Sequence, residues 1–296
     1  MPPKPSATQL TTPGNSASER VWTIVLSACV GLGVVLVLNL IGPLQIKTDA
    51  PEGEIVRVDL SRILVDWEYY QANDGRLVNR RNPFAVQSFM WIAFCIGFGE
   101  LWLRRRAHRH ERSAITAGLL PEDESSMIHA DDLKAIYIKA RGSSRTAVLP
   151  ILVRRLTMEF RKSRSIERAN ALLDSSLALF QHRSDLNYTL LRYLVWVIPT
   201  LGFIGTVIGI ASAMSFAGSG VVDSEDLLSP TTQRLAVAFY TTLLALVHSG
   251  ILVLGMSLMQ AREEAVINDA GQYCLENLIM KLMQPDQLES IRSGRS

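Results

Sequence analysis

Three threonines and one histidine stand out because they lie in stretches of sequence that contain no charged side chains. Thr206 lies in YLVWVIPTLGFIGTVIGIASAMSFA, and Thr241, Thr242 and His248 lie in LAVAFYTTLLALVHSGILVLGMSLM. A hydroxyl both donates and accepts a hydrogen bond, so it can hold a water molecule or a carboxyl without imposing a fixed charge. An imidazole titrates near neutral pH or bonds across helices as a neutral group. These side chains must therefore face protein or water instead of lipid.

Small residues accompany these polar groups at helical spacing. The first stretch places one stripe at steps of three and four residues: Pro199, Gly202, Thr206, Gly209 and Ala213. The second stretch carries a small and polar stripe made of Ala238, Thr241, Thr242, Ala245, His248 and Ser249. Small residues form the usual packing surface between membrane helices, and Gly205 and Gly209 have the spacing of that motif. Packing accounts for the glycines but does not require Thr206 among them.

The distribution of charge indicates which elements carry these residues. The chain has 296 residues, with 30 Lys plus Arg against 28 Asp plus Glu. Four windows, 21–42, 83–103, 193–217 and 235–259, contain Glu100 as their only charged residue. A helix of 22 residues reaches about 33 Å, which suffices for a hydrocarbon core of about 30 Å. The predicted fold class is therefore all-α, a polytopic membrane protein with four transmembrane helices, which excludes a soluble enzyme with one core. The near-neutral charge gives no reason to expect nucleic acid as a partner.

Basic residues beside the second window predict the orientation, because basic loops stay in the cytoplasm. The segment RRRAHRHER follows that window directly, whereas residues 218–233 contain three acidic residues and no Lys or Arg. We expect residues 104–192 and both termini on the cytoplasmic side of a bacterial inner membrane. The loops 43–82 and 218–234 are expected on the periplasmic side. Glu100 is expected at the inner interface, in an ion pair with Arg104 or with its side chain extended toward water.

The segments outside the windows differ in character. The leader 1–20 is rich in Pro, Ser and Thr and is predicted to be disordered. Within the loop 43–82, the alternation in EIVRVDLSRILVDW fits either a short strand or an amphipathic helix.

Apolar residues at helical spacing predict that the third and fourth spans extend into the cytoplasm as a helical bundle. Before the third span, a short helix at ADDLKAIYIKA and a break at RGSS precede long helical patterning, whose apolar positions include Ile166, Ala169, Leu173, Leu177 and Phe180. In the tail 260–296, residues spaced by four continue the fourth span: Val266, Ala270, Cys274, Leu278 and Leu282.

The sequence PTLGFIGTVIG, followed after a short acidic loop by LAVAFYTTLLAL, resembles the paired signature of the MotA/TolQ/ExbB proton channel family. The similarity covers roughly residues 165–280, and the arrangement of four spans is similar to MotA rather than to the three-span members. In the family a Gly is usual where Ala245 stands, and a Pro is usual in the run that here reads His248 to Ile251.

The resemblance implies a stator or energiser subunit that couples proton or sodium flow to mechanical work. It implies a pentamer around single-span partner chains of the MotB, ExbD or TolR kind, whose membrane Asp takes up the ion. Carried onto this sequence, Thr206 and Thr242 match the pore hydroxyls, Thr241 is adjacent, and Pro199 matches a proline that loosens the third helix. The resemblance implies no catalytic residue, cofactor or metal ion.

The predicted site therefore has two parts. Its ion path comprises Thr206, Thr242, Thr241 and His248, and its packing or flexing positions are Pro199, Gly202, Gly205 and Gly209. The windows contain no carboxylate at mid-membrane, so the titrating group is expected on the partner.

Two other interpretations remain open. A membrane scaffold of four spans without transport would also use small-residue stripes. A membrane enzyme is disfavoured, because His108 and His110 lie in a basic run explained by orientation, and the sequence has no HExxH or phosphate-binding loop. The driven process is open between flagellar rotation, outer-membrane energisation and a defence system. A basic segment could contact a cytoplasmic rotor or effector or could simply be solvated; it includes Arg154, Arg155, Arg161 and Arg168.

Overall fold

The computed structural model describes residues 17–41, 63–64, 68–73, 76–81, 85–116, 118–121, 128, 132–144, 146–218 and 228–282. In chain order, the elements are α1 (Ala17–Ile41), β1 (Glu68–Asn73), β2 (Arg76–Arg81), α2 (Val86–Ile115), α3 (Asp132–Gly142), α4 (Val148–Ser163), α5 (Ile166–Asn187), α6 (Thr189–Gly218) and α7 (Leu228–Cys274). A π-helix, Leu275–Ile279, follows α7 directly. The predicted leader lies outside the described residues up to residue 16.

The chain divides into two compact units. The span unit is drawn from Val21–Leu101 and Thr189–Met256, and the bundle unit from Met1–Arg20, Trp102–Tyr188 and Ser257–Ser296. Helices α2 and α7 each contribute residues to both units.

Among the described residues, four helical stretches are long and apolar enough to cross a membrane: Arg20–Leu38, Val86–Ile115, Ile166–Gly218 and Thr231–Ile279. Each contains or overlaps one predicted window, so the prediction of four membrane-capable helices is confirmed. In α2 the apolar part ends at Leu103, because Arg104, Arg105 and Arg106 follow.

A two-stranded antiparallel hairpin supplements the predicted helices. Strands β1 and β2 pair from Glu68 opposite Arg81 to Asn73 opposite Arg76. The connecting sequence is Asp74 and Gly75, a dipeptide that favours a two-residue hairpin. The all-α prediction thus omitted one small element. The preceding stretch 54–67, for which strand and helix were both open, lies outside the described residues except for residues 63 and 64.

The bundle unit has one apolar core that α3, α4, α5 and the end of α7 build together. Its fully buried side chains include Leu133, Leu152, Phe160, Ala270 and Leu278. The apolar stripe predicted in the tail is confirmed, since all five of its members are buried. The stripe predicted in α5 is confirmed as well, with Ala169, Leu173 and Phe180 buried and the other two packed against the core.

Two breaks divide the helical pattern that leads into the third span. Between α4 and α5, Arg164 adopts a left-handed φ of 53°, and its N–H donates to Phe160 O at 2.8 Å. Ser165 then caps α5 by accepting from Arg168 N. The sequence analysis did not separate these helices, because a left-handed cap usually contains Gly or Asn rather than Arg. Between α5 and α6 the interruption is Tyr188 alone, in agreement with a nearly continuous helix.

Candidate functional site

The glycines of α6 bring α6 and α7 into close contact. A Cβ added to Gly202 would lie 2.5 Å from Cβ of Ala245, and one added to Gly209 would lie 2.7 Å from Cβ of Ala238. At Gly205 the added Cβ would lie 2.7 Å from Oγ1 of Thr241. These distances are shorter than van der Waals contact, so the contact requires glycine. We call this contact between the two helices the α6–α7 seam.

Two threonine hydroxyls meet in the seam. Thr206 Oγ1 and Thr242 Oγ1 are hydrogen-bonded to each other across the two helices. Thr206 Oγ1 also lies 3.1 Å from Gly202 O and 3.2 Å from Ala238 O, and Thr242 Oγ1 lies 3.2 Å from Gly202 O. Both side chains are half-buried. Each hydroxyl has one proton, so one hydroxyl donates to the other and the second donates to a carbonyl. The pair keeps oxygen lone pairs that can accept a hydrogen bond from water or a protonated carboxyl.

Thr241 lies in the same seam but is more enclosed. Its hydroxyl donates to Ala238 O of its own helix at 2.8 Å, and the side chain is only 4% exposed. Its contact with Gly205 makes it a packing residue of the seam, while Thr206 and Thr242 supply the half-exposed hydroxyls.

Pro199 removes a backbone donor from the middle of α6, and α7 supplies a replacement. A proline has no N–H, so the carbonyl four residues earlier, Val195 O, loses its helical partner. Ser249 Oγ donates to that carbonyl at 3.2 Å. Irregular backbone in an apolar phase needs such a partner. The sequence analysis placed Ser249 on the polar stripe without a role, although its type and the position of Pro199 are the signal for this bond.

His248 does not lie in the seam. Its ring stacks on Phe94 with centroids 4.4 Å apart and meets Trp91 edge-on at 4.5 Å, and both of these residues belong to α2. The side chain is 3% exposed, and Nδ1 has no hydrogen-bond partner among the described residues. The structure thus divides the predicted stripe of α7 into a hydroxyl side facing α6 and a histidine side facing α2. Nothing in the sequence near His248 indicates these aromatic partners, which lie far upstream.

A side of α6 next to the seam is open. An exposed depression of about 570 Å³ is lined by α6 residues alone, among them Pro199, Trp196 and Phe203, with Arg192 at one end. Trp196 and Phe203 are 64% and 67% exposed. These two rings make this face of α6 apolar and exposed.

The seam lies in a region of the chain that resembles a known protein family. Residues 144–271 match the family model of the MotA/TolQ/ExbB proton channel family. The matched region contains α4, α5, α6 and most of α7, and therefore the whole seam. The match begins before residue 165 and ends before residue 280, which were the predicted bounds of the similar region. No curated protein and no solved structure gives a significant match.

The first two spans lie outside the region that matches the MotA/TolQ/ExbB family, and they differ from each other. A Cβ at Gly31 of α1 would lie 2.9 Å from Ile92 Cα of α2, so these helices also make a close contact. However, α2 contributes Met90 and Ala93 to an apolar core shared with α6 and α7. Helix α2 is therefore part of the core of the span unit.

Charged side chains occupy the bundle unit instead of the seam. Arg104 Nη1 lies 3.5 Å from Glu263 Oε1, its guanidinium lies 4.3 Å from the centre of the Tyr188 ring, and Nη2 donates to Asn187 O. Glu263 also accepts from Ser184 Oγ at 2.8 Å. Glu100, which was expected near Arg104, is 2% exposed at the end of the span unit.

Glu111 lies two turns beyond the apolar part of α2 and caps another helix. Its Oε2 accepts from Val148 N at 2.8 Å, at the start of α4. Burial is the largest influence on this carboxyl and raises its pKa to about 7, against the opposing effect of the Val148 hydrogen bond. Next to it, His110 Nε2 lies 3.1 Å from Ser144 Oγ. Among the described residues, no group of three or more His, Cys, Asp or Glu side chains could hold a metal ion.

Proposed function

We propose that the protein is an ion-conducting subunit that couples proton or sodium flow across the bacterial inner membrane to mechanical work. The observation that carries this proposal is the hydroxyl pair of Thr206 and Thr242, enclosed between two glycine-packed helices inside the region that matches a proton channel family. Such a pair can both donate and accept hydrogen bonds, so it can line an ion path without placing a fixed charge in lipid. The role requires no catalytic chemistry or cofactor.

The ion-binding carboxylate of this proposal belongs to a partner chain. Windows 193–217 and 235–259 contain no Asp or Glu. We propose a single-span partner with a membrane Asp, of the MotB, ExbD or TolR kind, and a pentamer of this chain around it. The exposed apolar face of α6 at Pro199 offers a surface for such a helix. In this arrangement the N- and C-termini and the helical bundle are cytoplasmic, as the arginines after Leu103 favour.

The ion path of this proposal passes Thr206 and Thr242, with Thr241 as their support. His248 was predicted as a fourth member. Its position between Trp91 and Phe94 favours a packing role between α2 and α7.

Substitution of Thr206 tests the proposal. The chain is reconstituted in liposomes with the product of a neighbouring gene that encodes a single-span protein with a membrane Asp. Proton and sodium flux are then measured at about 100 mV, a potential that drives one charge with about 2.3 kcal/mol. We expect Thr206→Val to abolish flux, because it keeps the side-chain shape but loses the hydroxyl, and Thr206→Ser to retain it. Thr157→Val, which removes a buried hydroxyl from the bundle unit, is the control for general damage.

A non-transporting membrane scaffold is the second candidate. It is favoured by one observation, namely that the seam hydroxyls already have partners at Gly202 O and Ala238 O. A scaffold predicts no flux in the original chain and wild-type assembly in Thr206→Val. Flux that depends on the Thr206 hydroxyl would exclude it.

A further inference from the structure

Around and beyond the end of its apolar part, helix α2 carries two sets of side chains on opposite sides. One set faces other helices of the bundle unit: Arg104 is 7% exposed and pairs with Glu263, and Glu111 accepts from Val148 N. The other set recurs at steps of three and four residues, and all of its members are exposed. It comprises Trp102, Arg105, Arg106 and Arg109. We call this surface the α2 arginine face.

The arginines of this face are not neutralised within the chain. Among the described residues, none of Arg105, Arg106 and Arg109 has a hydrogen bond or an ion pair. The only acidic residues of α2 are Glu100 and Glu111, and helical spacing places both on the opposite side of the helix. Three like charges within about 6 Å along the helix repel one another. An anionic ligand would therefore be favourable at this face.

Trp102 indicates which class of anion fits. Its side chain is 58% exposed and lies in the last turn of the apolar part of α2, about 10 Å along the helix from Arg109. A free phosphate ion would bind the guanidinium groups but would leave this ring uncovered. A phospholipid can contact both, because its phosphate lies at the boundary of water and its acyl chains lie beside the apolar part of a span. Tryptophan is enriched at this boundary, and guanidinium groups bind phosphate with two parallel hydrogen bonds.

The arrangement is more specific than membrane orientation requires. Orientation depends on the number of Lys and Arg residues beside a span, whatever side of the helix they occupy. Here Arg104 of the same run is buried, whereas the next two arginines and Arg109 share one side with Trp102. Three adjacent guanidinium groups carry more charge than one phosphate diester can neutralise. A lipid with two phosphate groups therefore matches this face better than a lipid with one.

We propose that the α2 arginine face binds an anionic phospholipid with two phosphate groups, of the cardiolipin type. The three guanidinium groups hold the phosphates, and the Trp102 ring packs against the start of an acyl chain. The face lies outside residues 144–271, so the family match does not cover it. Placement of the lipid in the cytoplasmic leaflet rests on the proposed function, whereas the binding itself does not.

A lipid titration of the full chain tests the proposal. The purified chain in detergent micelles is titrated with tetraoleoyl cardiolipin, with dioleoyl phosphatidylcholine or with inorganic phosphate, and native mass spectrometry counts the molecules bound per chain. Cardiolipin is expected to bind more tightly than phosphatidylcholine, and a millimolar excess of phosphate should not displace it. We expect Arg105→Gln/Arg106→Gln/Arg109→Gln to weaken cardiolipin binding roughly tenfold, equivalent to about 1.4 kcal/mol.

A matched triple variant removes the same number of exposed arginines from α3, α4 and α5. It is Arg141→Gln/Arg161→Gln/Arg168→Gln, and it should leave cardiolipin binding unchanged. Equal loss of binding in the two triple variants would reduce the effect to net charge and overturn the site. Equal affinity for cardiolipin and phosphatidylcholine in the original chain would overturn it as well.

Trp102→Ala separates a lipid site from a site for a free anion. This variant keeps the three arginines, so we expect it to weaken cardiolipin binding several-fold without changing the binding of inorganic phosphate. Displacement of cardiolipin by phosphate, together with unchanged cardiolipin binding in Trp102→Ala, would assign the face to a soluble anion and overturn the proposal. The titration involves neither a partner chain nor ion flux, so its failure is distinguishable from failure of the proposed channel function.

Discussion

The span unit and the bundle unit satisfy their buried polar groups in different ways. In the α6–α7 seam the groups are neutral hydroxyls, and they bond to each other and to helix carbonyls such as Gly202 O and Ala238 O. In the bundle unit they also include ionisable groups, as in the pair of Arg104 with Glu263 and the cap that Glu111 provides for α4. An ion in lipid costs far more than a hydroxyl with a carbonyl partner. The difference shows that the seam contains neutral polar groups, whereas the charged and titratable groups lie in the bundle unit.

The largest expected effect comes from closing the space that the seam requires. Gly209→Ala adds a Cβ that would lie 3.0 Å from the backbone Cα of Ala238, which cannot move aside as a flexible side chain could. We expect the free energy of unfolding in micelles to fall by about 1–3 kcal/mol and ion flux to be lost. Gly33→Ala, where nothing lies within 4 Å, is the control and should behave as the original chain. Equal stability of both variants would show that the seam is loosely packed.

The second prediction concerns the charged side of the comparison. The unfolded chain binds a proton at Glu111 with an ordinary pKa of 4.5, whereas the folded chain binds it with a pKa of about 7. The folded state therefore binds more protons between these values, so stability falls as pH rises from about 4.5 to 7 and levels off above. We expect a loss on the order of 3 kcal/mol over this interval, because one pKa unit corresponds to about 1.4 kcal/mol.

Glu111→Gln tests this pH dependence. The glutamine amide oxygen can still accept from Val148 N but does not titrate, so the slope of unfolding free energy against pH should flatten. The same change at exposed Glu264 is the control and should leave the slope as it is. A slope that persists in Glu111→Gln would assign the pH dependence to another group.

A smaller effect is expected at the carbonyl that Pro199 exposes. Ser249→Ala leaves Val195 O without its donor and should cost about 1–2 kcal/mol of stability. In a Pro199→Ala background the backbone N–H of residue 199 can bond to Val195 O, so there the serine should matter little. A double-mutant cycle measures this coupling. Additive effects would mean that Ser249 does not act through the carbonyl.

The smallest effect is expected at the histidine side of α7. His248→Phe keeps an aromatic ring between Trp91 and Phe94 and removes both nitrogens. Ion flux should be unchanged, and stability should change by less than about 0.5 kcal/mol. Loss of flux in this variant would restore His248 to the ion path and break the division between the two sides of α7.

The sequence alone predicted the four membrane-capable helices. An apolar run of over 20 residues with at most one charged side chain is typical of a membrane-spanning helix. It also predicted the seam, because Gly202, Gly205 and Gly209 recur at helical spacing and face Ala and Thr at matching steps in α7. Helical periodicity is local, so it can be read without knowledge of the fold. The family resemblance rests on these same residues, and the match over 144–271 confirms it.

Only the tertiary structure decided which neighbour each side chain meets. Helical spacing placed His248 beside Thr241 and Ser249, but a step of a few residues turns a side chain toward a different helix, and here it meets α2. The bond from Ser249 to Val195 O and the bond from Val148 N to Glu111 likewise join residues from different helices. Periodicity defines the faces of each helix, whereas the pairing of faces depends on how all the helices pack at once. For that reason the sequence determined the components of the seam, and the packing decided which polar groups belong to it.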